Sequence, residues 1–110
     1  MPQLLFRGVE PQRLAEVSEE LVRELADICE CGTDNFTIDC IMTAAVYGGT
    51  VGGGSFPFAE IGWFERGTAT RNQFAEAVTR KLREAGVNEL EIAFRVYRED
   101  SYYIDGKSCE

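Results

Sequence analysis

Histidine is absent from this 110-residue chain, and its absence excludes more chemistry than any other feature of the composition. Without histidine there is no Ser–His or Cys–His nucleophile pair, no histidine proton shuttle and no histidine-based zinc site. Any acid–base chemistry must therefore use carboxylates, tyrosines, lysines or a free amino terminus.

Positive charge is also scarce, because 11 Lys and Arg stand against 19 Asp and Glu and leave a formal net charge of −8. Nucleic acid would be repelled without a basic patch, and the basic residues are scattered apart from Arg80, Lys81 and Arg83, which we interpret as a solvated helix face. No run is apolar over the length of a membrane span, and no leader resembles a signal peptide. We expect neither a nucleic-acid nor a membrane partner.

Cysteine is present at four positions, but in no pattern that indicates a disulfide framework or a metal site. Cys29 and Cys31 are too close in sequence for an ordinary disulfide framework, while Cys40 and Cys109 are distant from both. Paired CxxC knuckles, which zinc would need, are missing. The pattern predicts reduced thiols that behave as small apolar residues in a cytoplasmic protein, with no metal and no cofactor.

Hydrophobic periodicity predicts strand, helix and strand in the first half of the chain. A strand ends near Gly8 and Val9, and a helix opens at Glu10-Pro11, where proline suits the first turn. Apolar residues then recur at three- and four-residue spacing as far as Ile28, and Cys31-Gly32 fits the end of the helix. Residues 36–43 alternate between apolar and polar side chains, which is typical of a strand with one core face.

The second half repeats this order. Residues 58–64 read as a strand, and Thr70 with Gln73 three residues later predicts a capping box at the start of a helix that stops at Gly86. Residues 90–97 alternate in the same way as residues 36–43 and predict the last long strand. The tail SYYIDGKSCE fits either a short strand or an interface segment.

These elements predict a single α+β domain over residues 1–110, with halves at about 2–46 and 57–98 and a glycine-rich connector at 47–56. The two β-α-β units would form a four-stranded mixed sheet with both helices on one face. The connector lacks the Lys-Ser/Thr ending of a phosphate-binding loop. It reads equally well as a flexible link or as a rim over the amino terminus.

The sheet face away from the helices has an unusual composition. Thr37, Asp39, Glu91 and Arg95 are polar for a core, whereas its apolar members are Ile41, Ala93 and Tyr97. Such a face suits a symmetric homo-oligomer, although a half-solvated antiparallel sheet is the other interpretation. On a covered face an unpaired charge is costly, so we expect Arg95 to pair with Asp39 or Glu91 within or between subunits.

A proline occupies the second position, where it precedes the strand-like run Leu4-Leu5-Phe6. If Met1 is removed, the ring nitrogen of Pro2 becomes a secondary amine; while Met1 is retained, that nitrogen is an amide without proton chemistry. Desolvation would lower the pKa of a held amine from about 8 toward neutrality, which suits a general base. The other interpretation is that Pro2 is only tolerated in second position.

With Pro2 at the head of two β-α-β units, the chain resembles the tautomerase superfamily, which includes macrophage migration inhibitory factor and the oxalocrotonate tautomerases. The resemblance rests on MPQLLFRGVEP, GTDNFTIDCIM and IGWFERGTATRNQF and covers nearly the whole chain. The segments MPQLLFRG, FAEIGWF and YYIDG are more closely similar to a small bacterial family of unknown function within that superfamily.

This resemblance implies a homotrimer whose sheets enclose a barrel, with Pro2 as the catalytic base at a subunit boundary. It also implies a nearby cation, and here the chain departs from the pattern. Thr33 and Thr37 occupy positions where branches of the superfamily carry lysine or arginine. Gln12, next to Arg13, occupies the position of a further arginine of the superfamily. We therefore name Arg7, Arg13 and Arg95 as the candidate substrate-binding cations.

Three further residues complete the predicted site. Glu60, among apolar neighbours in a strand, is a candidate acid–base partner with a raised pKa or, alternatively, the ion-pair partner of an arginine. Trp63 is expected to line an apolar pocket with Phe6 and the connector. Tyr103, together with Tyr102 before it, is expected to offer a phenol or to pack at an interface. The resemblance implies cofactor-free keto–enol isomerisation of a small carbonyl compound as the function. The alternative is a non-catalytic oligomeric binding domain with tautomerase-like or ferredoxin-like topology.

Overall fold

The computed structural model describes residues 2–48 and 54–110 of the chain. Its strands and helices are β1 (Gln3–Arg7), α1 (Pro11–Cys29), β2 (Thr37–Ile41), β3 (Phe58–Trp63), α2 (Thr68–Glu84), β4 (Glu91–Val96), β5 (Tyr103–Ile104) and β6 (Lys107–Ser108). Short 3-10 turns precede β2 and β5 at Thr33–Asn35 and Glu99–Ser101. Residues 49–53 of the predicted connector lie outside the described residues.

The main sheet has the strand order β2-β1-β3-β4 and is mixed, as predicted. β1 runs parallel to β2 and antiparallel to β3, and β3 runs parallel to β4. Pro2, Phe36, Trp63 and Val96 therefore lie at one end of the sheet, which we call the Pro2 end. Arg7, Ile41, Phe58 and Glu91 lie at the other, which we call the connector end.

The two halves of the chain match each other in backbone detail. The Thr37 N–H donates to the carbonyl of Pro2 at 3.3 Å, and the Glu91 N–H donates to the carbonyl of Pro57 at the same distance. In both halves the proline directly precedes the first strand and the donor begins the second. Pro57 at the connector end is thus the counterpart of Pro2 at the Pro2 end.

The core lies between the sheet and the two helices. Alternate strand residues such as Leu4, Phe6 and Ile61 are fully buried, because the period of two in a strand sends them to the helix side. The helices contribute apolar residues at three- and four-residue spacing, which places them on the side facing the sheet. These buried helix residues are Leu14, Leu21, Leu25, Ala26, Phe74, Ala77, Val78 and Leu82.

The first helix ends at Cys29, just before the predicted Cys31-Gly32, and the second also begins differently. α1 has Pro11 in its first turn and stops where Glu30 adopts a left-handed φ of 55°, with the Cys31 N–H donating to the Ala26 carbonyl at 3.0 Å. The predicted capping box at Thr70 is wrong, because α2 already begins at Thr68 and no side chain caps its first residue.

Glu65 orders the start of α2 from outside the helix. Its carboxylate accepts a hydrogen bond from the Gly67 N–H at 2.9 Å and another from the Arg71 guanidinium at 2.6 Å. Gly67 has a φ of 95°, a backbone conformation that favours glycine. The turn from β3 into α2 is therefore fixed by a carboxylate and a glycine.

Opposite charges join the two helices across their exposed edges. Lys81 Nζ lies 2.8 Å from Glu20 and 3.5 Å from Glu84, and Arg80 pairs with Glu24. Arg80 and Arg83 are exposed, as expected for a solvated helix face, whereas the Lys81 side chain is only 12% exposed between its carboxylate partners.

The tail forms a small two-stranded hairpin from β5 and β6, which agrees with the predicted short strand. Its backbone is held at the base by the Cys109 N–H, which donates to the Tyr102 carbonyl at 2.9 Å. Within residues 2–48 and 54–110, neither long helix has the apolar length that a membrane crossing needs.

Candidate functional site

Pro2 lies at the head of a central strand and is enclosed by the core. Less than 2% of its side-chain surface is exposed, and its carbonyl is bound by the Thr37 N–H at the start of β2. Because Gln3 lies opposite Gly62 in the antiparallel register, Pro2 falls next to Trp63 on the neighbouring strand. The structure therefore fixes the position of this residue, as the sequence predicts.

Trp63 has the largest fully buried side chain in the described part of the chain and lies at this end of the core. It is fully buried, with its ring 4.8 Å from that of Phe94 and 5.4 Å from that of Phe74 between centroids. Within the described residues its indole N–H is the one buried side-chain donor without an acceptor. A predicted site residue thus lies beside Pro2, inside an aromatic cluster rather than on a pocket wall.

Arg66 is a cation at this end of the sheet that no sequence pattern indicated. Its guanidinium carbon lies 5.5 Å from the centre of the Trp63 ring, in a cation–π arrangement, and Nη1 donates to the Phe64 carbonyl at 3.2 Å. No carboxylate of the described residues lies within ion-pair distance of it. Its charge is therefore available to an anion near Trp63.

Cys29, at the carboxyl end of α1, is close enough to Arg66 for the guanidinium charge to affect the pKa of its thiol. Burial raises the pKa of the Cys29 thiol above its ordinary value of 9.0, while the Arg66 guanidinium acts in the opposite direction. The end of α1 and the turn after β3 therefore meet at the Pro2 end. The sequence feature that could have indicated Arg66 is its position three residues after Trp63 in IGWFERG.

Two of the predicted cations lie far from Pro2 within the chain. Arg7 ends β1 and places its guanidinium carbon 4.8 Å from the centre of the Phe58 ring at the connector end. Arg13 lies in the first turns of α1, where Nη1 donates to the Ala85 carbonyl at 3.2 Å. The structure brings neither of them to Pro2 inside one subunit.

Glu60 and Arg95 pair with each other on the sheet face away from the helices, with Arg95 Nη2 3.2 Å from Glu60 Oε1. This is the ion pair proposed as the alternative role for Glu60. Within the chain Arg95 therefore pairs with Glu60 on the adjacent strand and not with Asp39 or Glu91, and its pairing between subunits stays a prediction. Because Pro2 is packed into the core on the helix side, Glu60 and Pro2 lie on opposite faces of the sheet.

Of the two tyrosines named as candidate phenols, Tyr102 joins this end of the molecule within the chain and Tyr103 does not. Tyr103 is exposed in β5, whereas the Tyr102 ring packs 5.1 Å from Phe64 and 5.3 Å from Tyr97. The amide of Gln3 links the phenols, since Nε2 donates to Tyr102 at 3.0 Å and Oε1 accepts from Tyr97 at 3.2 Å.

The connector does not reach the Pro2 end of its own chain in the part that is described. Ser55 and Phe56 approach Gly8 closely through their carbonyls, and Ser55 Oγ lies 2.7 Å from Thr43 Oγ1. Both contacts are at the connector end of the sheet. As for metals, residues 2–48 and 54–110 contain no group of three or more Cys, Asp or Glu placed to hold an ion.

The sequence family described as "Domain of unknown function (DUF1904)" matches residues 1–108. A solved structure of a DUF1904 domain from Sebaldella termitidis is similar at 29% identity and a TM-score of 0.89, covering 98% of this chain and 99% of its own. A protein of unknown function from Vibrio cholerae has 28% identity and a TM-score of 0.86, with 97% and 86% of the two chains covered. No curated protein matches this chain.

More distant structures share the fold at low identity. The structure described as Pt0534 inactivated by 2-oxo-3-pentynoate has 12% identity and a TM-score of 0.75, with 98% and 95% of the two chains covered. A fused 4-OT described as an asymmetric trimer has 14% identity and a TM-score of 0.76, and a macrophage migration inhibitory factor-like protein from Entamoeba histolytica has 11% and 0.68. Their coverage is 98% and 97% of this chain and 94% and 97% of their own. These matches confirm the predicted tautomerase-like α+β fold.

Proposed function

The chain belongs to the DUF1904 family and has the fold of the tautomerase and macrophage migration inhibitory factor superfamily, and from this we propose that it is a cofactor-free tautomerase. In this proposal Met1 is removed, Pro2 is the general base, and a small carbonyl compound is converted between its keto and enol forms. The working unit is a homotrimer.

The observation that carries the proposal is the position of Pro2. Its carbonyl is bound to β2 and its ring is enclosed by the core, so the residue is held in place at the head of the strand. Loss of hydration disfavours an ammonium ion and lowers the pKa of such an amine. A neutral secondary amine at neutral pH can accept a proton in a single step.

The reaction needs two groups from this chain. The nitrogen of Pro2 removes a proton next to the carbonyl, or from the enol hydroxyl in the reverse direction, and returns it at the other position. Negative charge develops on the substrate oxygen during the transfer and needs a cation or donor nearby. Arg66 supplies this charge in the proposal, because it lies over Trp63 at the same end of the sheet and has no carboxylate partner in the described part of the chain.

The fold relatives support the chemistry and the assembly without establishing either for this chain. One is described as inactivated by 2-oxo-3-pentynoate, whose alkyne is conjugated to a ketone and accepts a nucleophile. Another is described as a trimer. At 12% and 14% identity these proteins share the fold alone, so their behaviour enters here as a reason for the experiments below.

A non-catalytic oligomeric binding domain is the second candidate. One observation favours it: the Pro2 side chain is less than 2% exposed, so a substrate does not reach its ring in a single chain. Whether the mature chain starts at Pro2 separates the two functions. Intact mass spectrometry of protein from its native host answers this without a choice of substrate.

The decisive experiment compares Met-removed with Met-retained protein. On phenylenolpyruvate the Met-removed form should catalyse ketonisation and the Met-retained form should not, since an amide nitrogen accepts no proton at neutral pH. With 2-oxo-3-pentynoate, the Pro2 nitrogen adds to the triple bond without a leaving group, so the N-terminal peptide gains the mass of the whole reagent. Equal behaviour of both forms in both assays would assign Pro2 a structural role.

The trimer is tested separately by sedimentation equilibrium at micromolar concentration. A mass three times that of the 12.3 kDa chain is expected. A monomer under these conditions would contradict the proposed assembly, whatever the outcome of the catalytic assays.

A further inference from the structure

Two of the four cysteines lie next to each other at the end of α1. Cys29 is the last residue of that helix, and Cys31 follows it by two positions. Both thiols are free and partly exposed. Cys40 in β2 and Cys109 after the tail hairpin are free as well, but each is alone in its part of the sequence. Cys29 and Cys31 are therefore the one pair of thiols that the sequence holds at a short spacing.

Glu30, between the two cysteines, brings their α-carbons close together. Its φ of 55° and ψ of 48° are the mirror image of a helical residue. The α-carbons on either side of such a residue are about 5.4 Å apart, which follows from the rise, twist and radius of a helix. An extended residue would hold them about 7 Å apart. Because disulfides most often join α-carbons about 5.5–6 Å apart, the backbone holds the pair at the spacing that a disulfide needs.

Two hydrogen bonds at the end of α1 fix Glu30 in this conformation. Its own N–H donates to the Asp27 carbonyl at 3.3 Å, and the Cys31 N–H donates to the Ala26 carbonyl at 3.0 Å. Glutamate rarely adopts a left-handed φ, which glycine favours, so the conformation belongs to this helix end and not to the residue type. The spacing of the two α-carbons is thus preset before any bond forms between the sulfurs.

We propose that Cys29 and Cys31 form a reversible disulfide, so that the end of α1 responds to the balance of thiols and disulfides around the protein. The oxidant is a small-molecule disulfide. The Cys31 thiolate attacks one of its sulfur atoms, which forms a mixed disulfide and releases one small thiolate. The Cys29 thiolate then attacks the sulfur of Cys31, closes the ring and releases the second small thiolate. Two cysteine thiols are oxidised, one disulfide is reduced, and the two cysteine protons end on the released thiolates.

The charges that act on Cys29 suit this order of attack. Burial raises the pKa of the Cys29 thiol, the Arg66 guanidinium lowers it, and negative charge on Cys31 raises it. Once Cys31 is part of a mixed disulfide it carries no charge, so one cause of the raised pKa disappears while Arg66 still acts. The second attack is also intramolecular, which compensates for a small fraction of thiolate at Cys29.

Negative charge flanks the pair and determines which oxidant reacts best. Asp27, Glu30 and Asp34 are the carboxylates nearest in sequence, while Arg66 is the cation that acts on Cys29. A disulfide that itself carries carboxylates is repelled by three of these four charges. An uncharged small disulfide is therefore expected to oxidise the pair faster than an anionic one.

A disulfide between Cys29 and Cys31 would close a small ring that is partly exposed at the surface. Strained or exposed disulfides are the easily reduced kind, which serve regulation and not structural support. The short spacing that argues against a structural disulfide framework thus suits a reversible one. Closure converts the thiol next to Arg66 into a disulfide at the Pro2 end of the sheet, and it does so whether or not Pro2 is a catalytic base.

The test is mass spectrometry of the full-length protein after incubation with 2-hydroxyethyl disulfide and 2-mercaptoethanol at graded ratios. The protein is then alkylated in denaturant and cut before aspartates, which releases residues 27–33 with both cysteines of the pair and neither of the others. We expect this peptide to become lighter by two hydrogen atoms and to carry no alkyl group, and dithiothreitol before alkylation should reverse this. A peptide that stays alkylated, carries only a 2-mercaptoethanol adduct or is linked to a second copy would overturn the proposal.

Cys40 and Cys109 are the internal controls. Neither has a neighbouring thiol to complete the second attack, so each should need a ratio of disulfide to thiol about tenfold higher or more before it is oxidised. Cys31→Ser removes the second thiol and should leave Cys29 open to alkylation at the ratio that closes the wild-type ring. If Cys29 is as fully protected from alkylation in this variant as in the wild type, its protection does not come from Cys31 and the proposal is wrong.

Two variants of Glu30 test the role of the backbone. Glu30→Gly keeps the left-handed conformation and should close the ring at a ratio close to that of the wild type. Glu30→Val disfavours this conformation, so the ratio for half closure should rise by about tenfold. Both variants lose the same carboxylate, which removes the effect of charge from the comparison, and circular dichroism checks that both are folded. Equal ratios for the two variants would contradict the role assigned to the left-handed residue.

Discussion

The phenol oxygen of Tyr97 lies directly over Gly62, so close that a methyl group at Gly62 would overlap it. The contact is on the sheet face away from the helices, where Tyr97 donates to Gln3 at 3.2 Å and Gln3 donates to Tyr102 at 3.0 Å. Gly62 has no left-handed backbone, so it is needed for space and not for conformation. This contact ties the carboxyl end of β4 and the tail to the start of β1.

Gly62→Ala should destabilise the protein by about 1–3 kcal/mol, because the added methyl displaces the Tyr97 ring and breaks its bond to Gln3. Urea unfolding followed by circular dichroism measures the change. Gly54→Ala is the control, since a methyl there meets nothing within 4 Å. In a Tyr97→Ala background the cost of Gly62→Ala should shrink; if the two costs simply add, the overlap is not the cause.

Arg66→Gln in Met-removed protein should lower kcat/KM for phenylenolpyruvate by about 100-fold, the loss typical of one group that stabilises developing negative charge. Arg83→Gln removes the same charge from the far end of α2 and should leave kcat/KM unchanged. If both variants lose activity equally, the effect is one of net charge and not of position.

Arg66→Gln should also slow alkylation of Cys29 by iodoacetamide, a readout that needs no substrate. Burial raises the pKa of Cys29 and Arg66 partly opposes this, so removing the cation raises the pKa further and reduces the thiolate. The pH profile of labelling, followed by peptide mass spectrometry, should move to higher pH. Cys40, whose raised pKa has burial as its cause, is the internal control and should keep its profile.

Lys81→Met should reduce thermal stability near pH 7, and the reduction should disappear at both pH extremes. The hydrogen bond from Lys81 lowers the pKa of Glu20 below 4.5. The stability that the ion pair contributes is therefore lost as pH falls through that lowered pKa. The same bond raises the pKa of Lys81 above 10.5, so the contribution is also lost as pH rises through the raised value.

Melting curves of wild type and Lys81→Met at pH 3, 7 and 11 measure this difference. Arg83→Met, on the same helix and without an ion pair in the described structure, supplies the comparison. A difference between wild type and Lys81→Met that stays constant from pH 3 to 11 would assign the effect to packing of the lysine stem.

The fold was readable from the sequence because it depends on periodicity. Alternation along residues 36–43 and 90–97 and helical spacing from Leu14 to Ile28 determine which side chains face the core. The structure has these faces as predicted, except that Met42 and Val96 are exposed. The same alternation placed Asp39, Glu91 and Arg95 correctly on the face away from the helices. Strand order was left open, because the element order β-α-β-β-α-β also describes a ferredoxin-like fold.

The site was less readable because it depends on contacts between distant segments. Periodicity puts Arg95 on a face but does not say that Glu60, on the next strand, is closer than Asp39. Arg66 lies in a turn, where no periodic signal indicates that the chain bends back over Trp63. The start of α2 was predicted at the wrong residue for a related reason. Glu65 accepts a hydrogen bond from the Gly67 N–H before the helix begins, and this arrangement matches no capping pattern in the sequence.

Pro57 repeats the backbone role of Pro2 but is bonded on both sides, with Phe56 before it. Fusing two similar halves into one chain therefore leaves a single chain terminus for two equivalent proline positions. The proposed trimer would contain six such prolines, and at most three of their nitrogens could be amines. Covalent labelling at proline is thus limited to one equivalent per chain, and only one end of each sheet is able to carry out the proposed proton transfer.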